Sequence, residues 1–226
     1  MAYTLKEDIH GSHATILRIL ERYPRGRVLE VGCANGFFSE KIAALHEVWG
    51  VELDKTHAKE AENFCRKVFV GDIKDMEIEE KFDIILMADV LEHTKNPASV
   101  LKKVGGWLAE SGIIILSVPN MAHFSVRLSL LGGRFDYAER GILDKTHLKF
   151  FTKSSIENLL DETGYIIVER DITPLPMLEI LGVKRNRILD CVESLNYHLS
   201  RIWKTLFAYQ FIIIVERGAT PSRPNV

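Results

Sequence analysis

Three cysteines in 226 residues are too few to staple a fold. Cys33, Cys65 and Cys191 are odd in number and share no Cys-x-x-Cys spacing. Neither a disulfide framework nor a zinc site is expected, and a reducing, cytoplasmic setting is. No uninterrupted apolar run approaches the length of a membrane-spanning helix, and the opening MAYTLKEDIHGSH carries no apolar signal core. An excess of one charge is missing too. The formal net charge is −2, which argues against a strongly basic nucleic-acid binder. No repeat or low-complexity segment divides the chain, and no pair of histidines or carboxylates has metal-ligand spacing, so no metal is expected.

What is there is the composition of a globular domain, 46% hydrophobic and 27% charged. The length suits one large domain with a sizeable core. Short apolar runs alternate with amphipathic ones. Residues 27–31, 48–53, 68–70, 82–88, 112–118, 165–172 and 210–216 predict strands. Helices are predicted at 12–22, 37–46, 56–67, 97–108 and 153–163. FDIILMA and GIIILSV are apolar on both faces, as strands of a parallel sheet covered by helices on both sides must be. The alternation pauses between Pro119 and residue 153. A further helix, with Ile188, Val192, Leu195, Leu199, Ile202 and Leu206 in one stripe, precedes the last strand. Core packing is the default for that stripe; a homodimer interface or a cover over a site is also compatible with it. The reading is one domain over 1–218, with 119–150 and 173–209 as acceptor-site cover and 219–226 as a flexible tail.

The turn in VLEVGCANG, residues 28–36, carries the first functional signal. A Walker loop requires Lys-Ser/Thr after its second glycine, and none is present. A dinucleotide turn requires Gly-x-Gly-x-x-Gly, whereas this chain reads Gly32-Cys33-Ala34-Asn35-Gly36. Glu30, just before the turn, would repel a pyrophosphate and suit a cation. S-adenosylmethionine offers two, an ammonium and a sulfonium. Glu52, with Leu53 beside it, falls at the end of the second strand, where a carboxylate can accept from both ribose hydroxyls. Asp72 follows the third strand and could accept from an adenine amino group, with Ile73 packing on the ring. Asp89 ends the fourth. Asp54 reads as the N-cap of the helix at 56.

VLEVGCANG, VWGVELD, VFVGDI, FDIILMADVLEH, LAESGIIILSVPN and DKTHLKFFT occur in an order and spacing that resemble the class I S-adenosylmethionine-dependent methyltransferases. The match covers roughly residues 27–170. The pair ADVLEH and THLKFFT is most similar to the branch of ubiquinone-type O-methyltransferases and sugar-pathway methyltransferases. The resemblance implies a Rossmann-like α/β fold: a seven-stranded, mostly parallel sheet with the last strand antiparallel, helices on both faces and helical lid insertions. It implies S-adenosylmethionine as cofactor, bound by Glu30, Gly32, Ala34, Gly36, Glu52, Leu53, Asp72, Ile73 and Asp89. The family usually has glycine where this chain has Ala34; the extra Cβ is a mild change that can be accommodated if the local φ is negative.

The expected reaction is methylation of a hydroxyl on a small molecule, a quinone precursor, sugar or other metabolite. Among eight histidines, His147 is the candidate general base, oriented by Asp144. Glu92 and His93 are read as fixing the loop after the fourth strand. His123 and Tyr137 are candidate acceptor contacts. Two alternatives remain at this stage. One is a non-catalytic cofactor-binding or scaffold subunit. The other is a nicotinamide-dependent oxidoreductase, against which the broken glycine pattern and the lack of a Tyr-x-x-x-Lys pair both count. Nucleic-acid bases are disfavoured as acceptors, because Asn/Asp-Pro-Pro-Tyr/Phe is absent after the fourth strand.

Overall fold

The structure is a computed structural model that describes residues 10–177 and 187–218. The tail expected at 219–226, part of the cover expected at 173–209, and the Ile188 side chain lie outside the described residues.

Seven strands form one sheet: β1 (Arg27–Val31), β2 (Glu47–Glu52), β3 (Lys67–Val70), β4 (Phe82–Ala88), β5 (Leu108–Pro119), β6 (Tyr165–Thr173) and β7 (Gln210–Arg217). Their order is β3-β2-β1-β4-β5-β7-β6. The first five pair with one another in parallel, and β7 is antiparallel to both β5 and β6. The expected architecture is therefore the one observed. Alternate residues of the central strands serve opposite faces. Val28, Ile84, Leu86, Ile113 and Ile115 join one buried cluster, in which Ile16, Phe38 and Ile42 of the first two helices also take part. Leu29, Ile85, Met87, Ile114 and Leu116 join the other, with Val100, Leu101, Val104 and Ile156. Two buried faces are why these strands read as apolar throughout.

The helices on these faces are α1 (Ser12–Leu20), α2 (Phe37–Ala43), α3 (Lys55–Ala61), α4 (Pro97–Trp107) and α6 (Lys153–Glu162). Asp54 caps α3 as expected, its carboxylate accepting from the backbone N–H of Thr56 at 2.7 Å and of His57 at 3.0 Å. That helix stops six residues short of its expected end: at Ala61 the chain turns, which brings Cys65 back against the sheet. The pause after Pro119 contains one helix, α5 (Phe124–Leu131).

The long helix expected before β7 is two: α7 (Arg187–Ile202) and α8 (Lys204–Phe207), broken at Trp203. Its stripe is not core. Val192, Leu195 and Ile202 are exposed, and Leu199 and Leu206 are half-buried. The helical period makes a stripe, but only a neighbouring element can bury it. Among the described residues, no helix is long and apolar enough to cross a membrane.

Candidate functional site

The strand order doubles back between β1 and β4, so the loops after those strands diverge and leave a crevice at their carboxyl ends. The turn after β1 forms its floor. Gly32 and Gly36 both have left-handed backbones, with φ of +73° and +83°. A Cβ at Gly36 would also stand 2.7 Å from the Ala61 Cα, so no side chain fits there. The condition that would accommodate the Ala34 Cβ freely is not met, since its φ is +47°. A Cβ in that region costs roughly 1–2 kcal/mol, and the turn keeps it because the backbone is held from outside. The Ala34 N–H donates to Glu52 Oε2 at 2.8 Å, and the Asp54 N–H donates to Glu52 Oε1 at 2.9 Å.

Glu30 is buried, and its carboxyl oxygen Oε2 accepts from the Ser39 hydroxyl of α2. Burial pushes its pKa up to about 8, against which the Ser39 hydrogen bond acts only partly. An empty carboxylate site therefore holds a proton at neutral pH. Glu30, Gly32, Cys33, Ala34, Phe37 and His13 line a cleft of about 400 Å³, counting its space open to solvent. Further along the rim, Asp72 caps a short 3-10 turn by accepting from the Lys74 N–H at 3.1 Å, and it pairs with Lys74 Nζ at 2.9 Å. The Lys74 side chain beside it holds the Asp72 carboxyl below the usual range. Ile73 is half-buried and Leu53 is exposed at the same edge.

Asp89, after β4, is a second non-glycine residue in the left-handed region, with φ of +55°. Its Oδ1 accepts from Ser117 Oγ and from Gln210 Nε2, each at 2.7 Å, and its N–H donates to Ser117 Oγ at 3.1 Å. Its carboxylate is thus fixed by β5 and β7. Ser39, Ser117 and Gln210 are absent from the sequence reading. Ser39 left no trace of its own, since Glu40 and Lys41 follow it before Ile42. Gln210 left none, since it meets Asp89 only through the sheet.

The loop carrying Asp144 and His147 folds over the short turn Leu91–His93, where the N–H groups of Leu148 and Lys149 donate to the Glu92 carbonyl at 2.8 and 3.0 Å. The expected Asp144–His147 side-chain bond is corrected. His147 Nδ1 lies 3.0 Å from the Ile142 carbonyl oxygen, while Asp144 Oδ1 accepts from the Thr146 hydroxyl at 2.6 Å and the Thr146 N–H at 2.8 Å. A carbonyl only accepts, so Nδ1 of His147 carries hydrogen and Nε2 keeps its lone pair. Burial lowers the pKa of His147, and Asp89 and Asp144 act weakly the other way. His93 is tied similarly, its Nδ1 3.3 Å from the Thr146 carbonyl and 3.2 Å from the Thr146 hydroxyl.

The two imidazoles meet edge to face with centroids 4.9 Å apart. Together with Glu92 they offer ligand atoms all within 4.8 Å of one another. Sequence spacing does not reveal this set, because the fold assembles it from two loops distant in sequence.

His123 is fully buried. It caps α5 through Ser125, with Nδ1 2.7 Å from Ser125 Oγ, and burial pushes its pKa down to about 4. Tyr137 is exposed, with its ring edge to face on Phe135.

A doubly wound sheet with one antiparallel strand, a glycine turn without the dinucleotide spacing, and acidic residues along the strand ends match the fold of the class I S-adenosylmethionine-dependent methyltransferases. The chain belongs to the family described as a methyltransferase domain, whose model matches residues 6–170. It is similar to a ubiquinone biosynthesis O-methyltransferase of Bradyrhizobium diazoefficiens, 26% identical over 153 residues, covering 64% of this chain and 60% of that one. A protein of the same description from Glaesserella parasuis is 30% identical over 122 residues, covering 48% and 52%. The chain thus spans less than two thirds of the length of these curated relatives.

Among solved structures, magnesium protoporphyrin IX methyltransferase from Synechocystis, with S-adenosylhomocysteine bound, superposes with a TM-score of 0.63 at 16% identity, over 92% of this chain and 83% of that one. An N-methyltransferase from Bradyrhizobium japonicum, also bound to S-adenosylhomocysteine, gives 0.58 at 16% identity, over 92% and 86%. These two likenesses carry the fold only.

Proposed function

We propose that this protein transfers a methyl group from S-adenosylmethionine to a hydroxyl of a small-molecule acceptor. In this reading Glu30 faces the cofactor's ammonium and Glu52 its ribose. The turn Gly32–Gly36 lies against the methionyl part, with Asp72, Ile73 and Leu53 around the adenine. Asp89 borders the sulfonium end. The turn also lacks the Gly-x-Gly-x-x-Gly spacing that lets backbone approach a pyrophosphate.

The cofactor supplies the electrophilic carbon, and the protein supplies alignment and a proton acceptor. His147 is the acceptor, because its Nδ1 is committed to the Ile142 carbonyl and its Nε2 lone pair is therefore available. Its lowered pKa keeps it neutral, and so basic, at pH 7. That hydrogen bond is the observation that carries O-methylation over methylation of an amine, which can attack without a base once neutral. The likeness to ubiquinone biosynthesis O-methyltransferases supports the same choice. The test is incubation of purified protein with S-adenosylmethionine and a panel of phenols, catechols and sugars. Mass spectrometry should find one methyl added to a hydroxyl; methyl gain on amines alone would contradict the proposal.

A second reading of the same loops is favoured by the convergence of Glu92, His93 and His147. Both histidines hold their Nδ1 hydrogens on Thr146 or Ile142, the arrangement that orients imidazoles toward a cation. A divalent ion there would lower the pKa of an acceptor hydroxyl. Chelation separates the two. A general base works in excess chelator, whereas a cation site loses turnover and regains it with added metal.

A further inference from the structure

The molecule buries two thiols directly beneath the cofactor turn. Cys33 sits inside the turn, between Gly32 and Ala34, and Cys65 returns to the sheet after α3. Both are free and buried. Between them, β2 carries a glycine, Gly50, paired with Glu30 on one side and Val68 on the other. A Cβ at Gly50 would stand 2.6 Å from Cys33 Sγ and 3.4 Å from Cys65 Sγ. The two sulfurs therefore share the space a side chain at position 50 would need.

We propose that Cys33 and Cys65 are an oxidisable dithiol, closed to an intramolecular disulfide by hydroperoxides, and that this disulfide and bound S-adenosylmethionine exclude one another. The proposal rests on the cofactor reading above. Three observations support it. Both sulfurs lie within contact distance of one point, 2.6 and 3.4 Å from where a Gly50 Cβ would stand, so the two thiols are neighbours. Cys33 lines the cleft that reaches solvent, so a small oxidant has an entrance that a seated cofactor would cover. The turn has no slack, because Ala34 is held at φ +47° by its bond to Glu52. Drawing Cys33 onto Cys65 displaces the neighbours of both glycines in the turn.

The chemistry balances. Cys33, which lines the cleft, takes the terminal oxygen of the hydroperoxide as its thiolate, giving a sulfenic acid and the alcohol. The Cys65 thiol then attacks that sulfur and water leaves. Two thiols and one hydroperoxide become one disulfide, one alcohol and one water. A dithiol reductant reverses the step.

The experiment uses full-length protein carrying Cys191→Ser, since Cys191 is exposed and would cross-link chains. Reduced protein is titrated with S-adenosylhomocysteine in the calorimeter, treated with hydrogen peroxide, and titrated again. The expected results are a mass loss of two hydrogens, a Cys33–Cys65 peptide in the digest, affinity reduced at least tenfold and restored by dithiothreitol, and slower oxidation when the ligand is present. A Cys65→Ala variant should bind the ligand when reduced and lose the reversible change. Treated Cys191→Ser protein with no Cys33–Cys65 peptide, or with that peptide and undiminished affinity, overturns the proposal. Reduced protein that is folded yet binds no ligand overturns the cofactor reading, and the exclusion with it. The peptide map still reports separately whether the cross-link forms.

Discussion

The backbone N–H of Ala34 and the carboxylate of Glu52 are 2.8 Å apart, which joins the turn after β1 to the end of β2. A residue expected to touch ribose is thus also the clamp that holds the floor of the site. Replacing Glu52 has two consequences. Glu52→Ala should weaken S-adenosylhomocysteine binding by roughly ten- to hundredfold, the scale of lost hydrogen bonds to a charged group. It should also lower the melting temperature, because two backbone donors lose their acceptor. Calorimetry and thermal melting measure each.

Ala34→Gly should stabilise the protein. A left-handed Cβ is removed, and the hydrogen bonds of the turn use only backbone. The expected gain is about 1 kcal/mol, or a melting temperature higher by about 2–4 °C for a chain of this size. Denaturant titration checks it. A loss of stability would mean that the Cβ makes a contact worth more than the strain.

Glu30 predicts a proton linkage. Its folded pKa is raised by burial to about 8, far above the unfolded value near 4.3. Its contribution to stability is therefore full below the unfolded value and is lost as pH rises toward 8. The cofactor ammonium favours the carboxylate, so binding near pH 6.5 should release a proton from Glu30. Titrations in buffers of different ionisation enthalpy should give different apparent heats for the wild type and equal heats for Glu30→Gln. Equal heats for both would place no proton on Glu30.

His147→Ala should lower turnover by about 10²–10⁴-fold, the usual worth of a general base, while cofactor affinity stays near wild type. Asp144→Ala should cost less, since Asp144 grips Thr146 and not the imidazole. Steady-state kinetics with any methylated acceptor compares them. Unchanged turnover in His147→Ala would remove that residue from the chemistry.

Strand positions were legible because both faces of β4 and β5 are buried, which forces long apolar runs; the seven-stranded arrangement with an antiparallel last strand was legible only through the family resemblance. Asp54 was legible because capping is local: its partners are Thr56 and His57. The errors lie where partners are remote. Ala34 seemed free to take a negative φ until Glu52 claimed its N–H from another strand. Asp144 seemed to orient His147 because they are near in sequence, but the Ile142 carbonyl does so. Gln210 reaches Asp89 across the sheet, and Glu92 and His93 meet His147 only after the loop folds back. Local chemistry writes itself into adjacent residues, whereas a site assembled from several loops does not.

The claim on which the rest depends is that this crevice holds an adenosyl sulfonium compound. Isothermal calorimetry of the reduced protein with S-adenosylmethionine and S-adenosylhomocysteine tests it most directly. The account predicts saturable binding of both at one site per chain, weakened in Glu52→Ala. Folded protein that gives no heat with either, yet binds a nicotinamide dinucleotide, would contradict it.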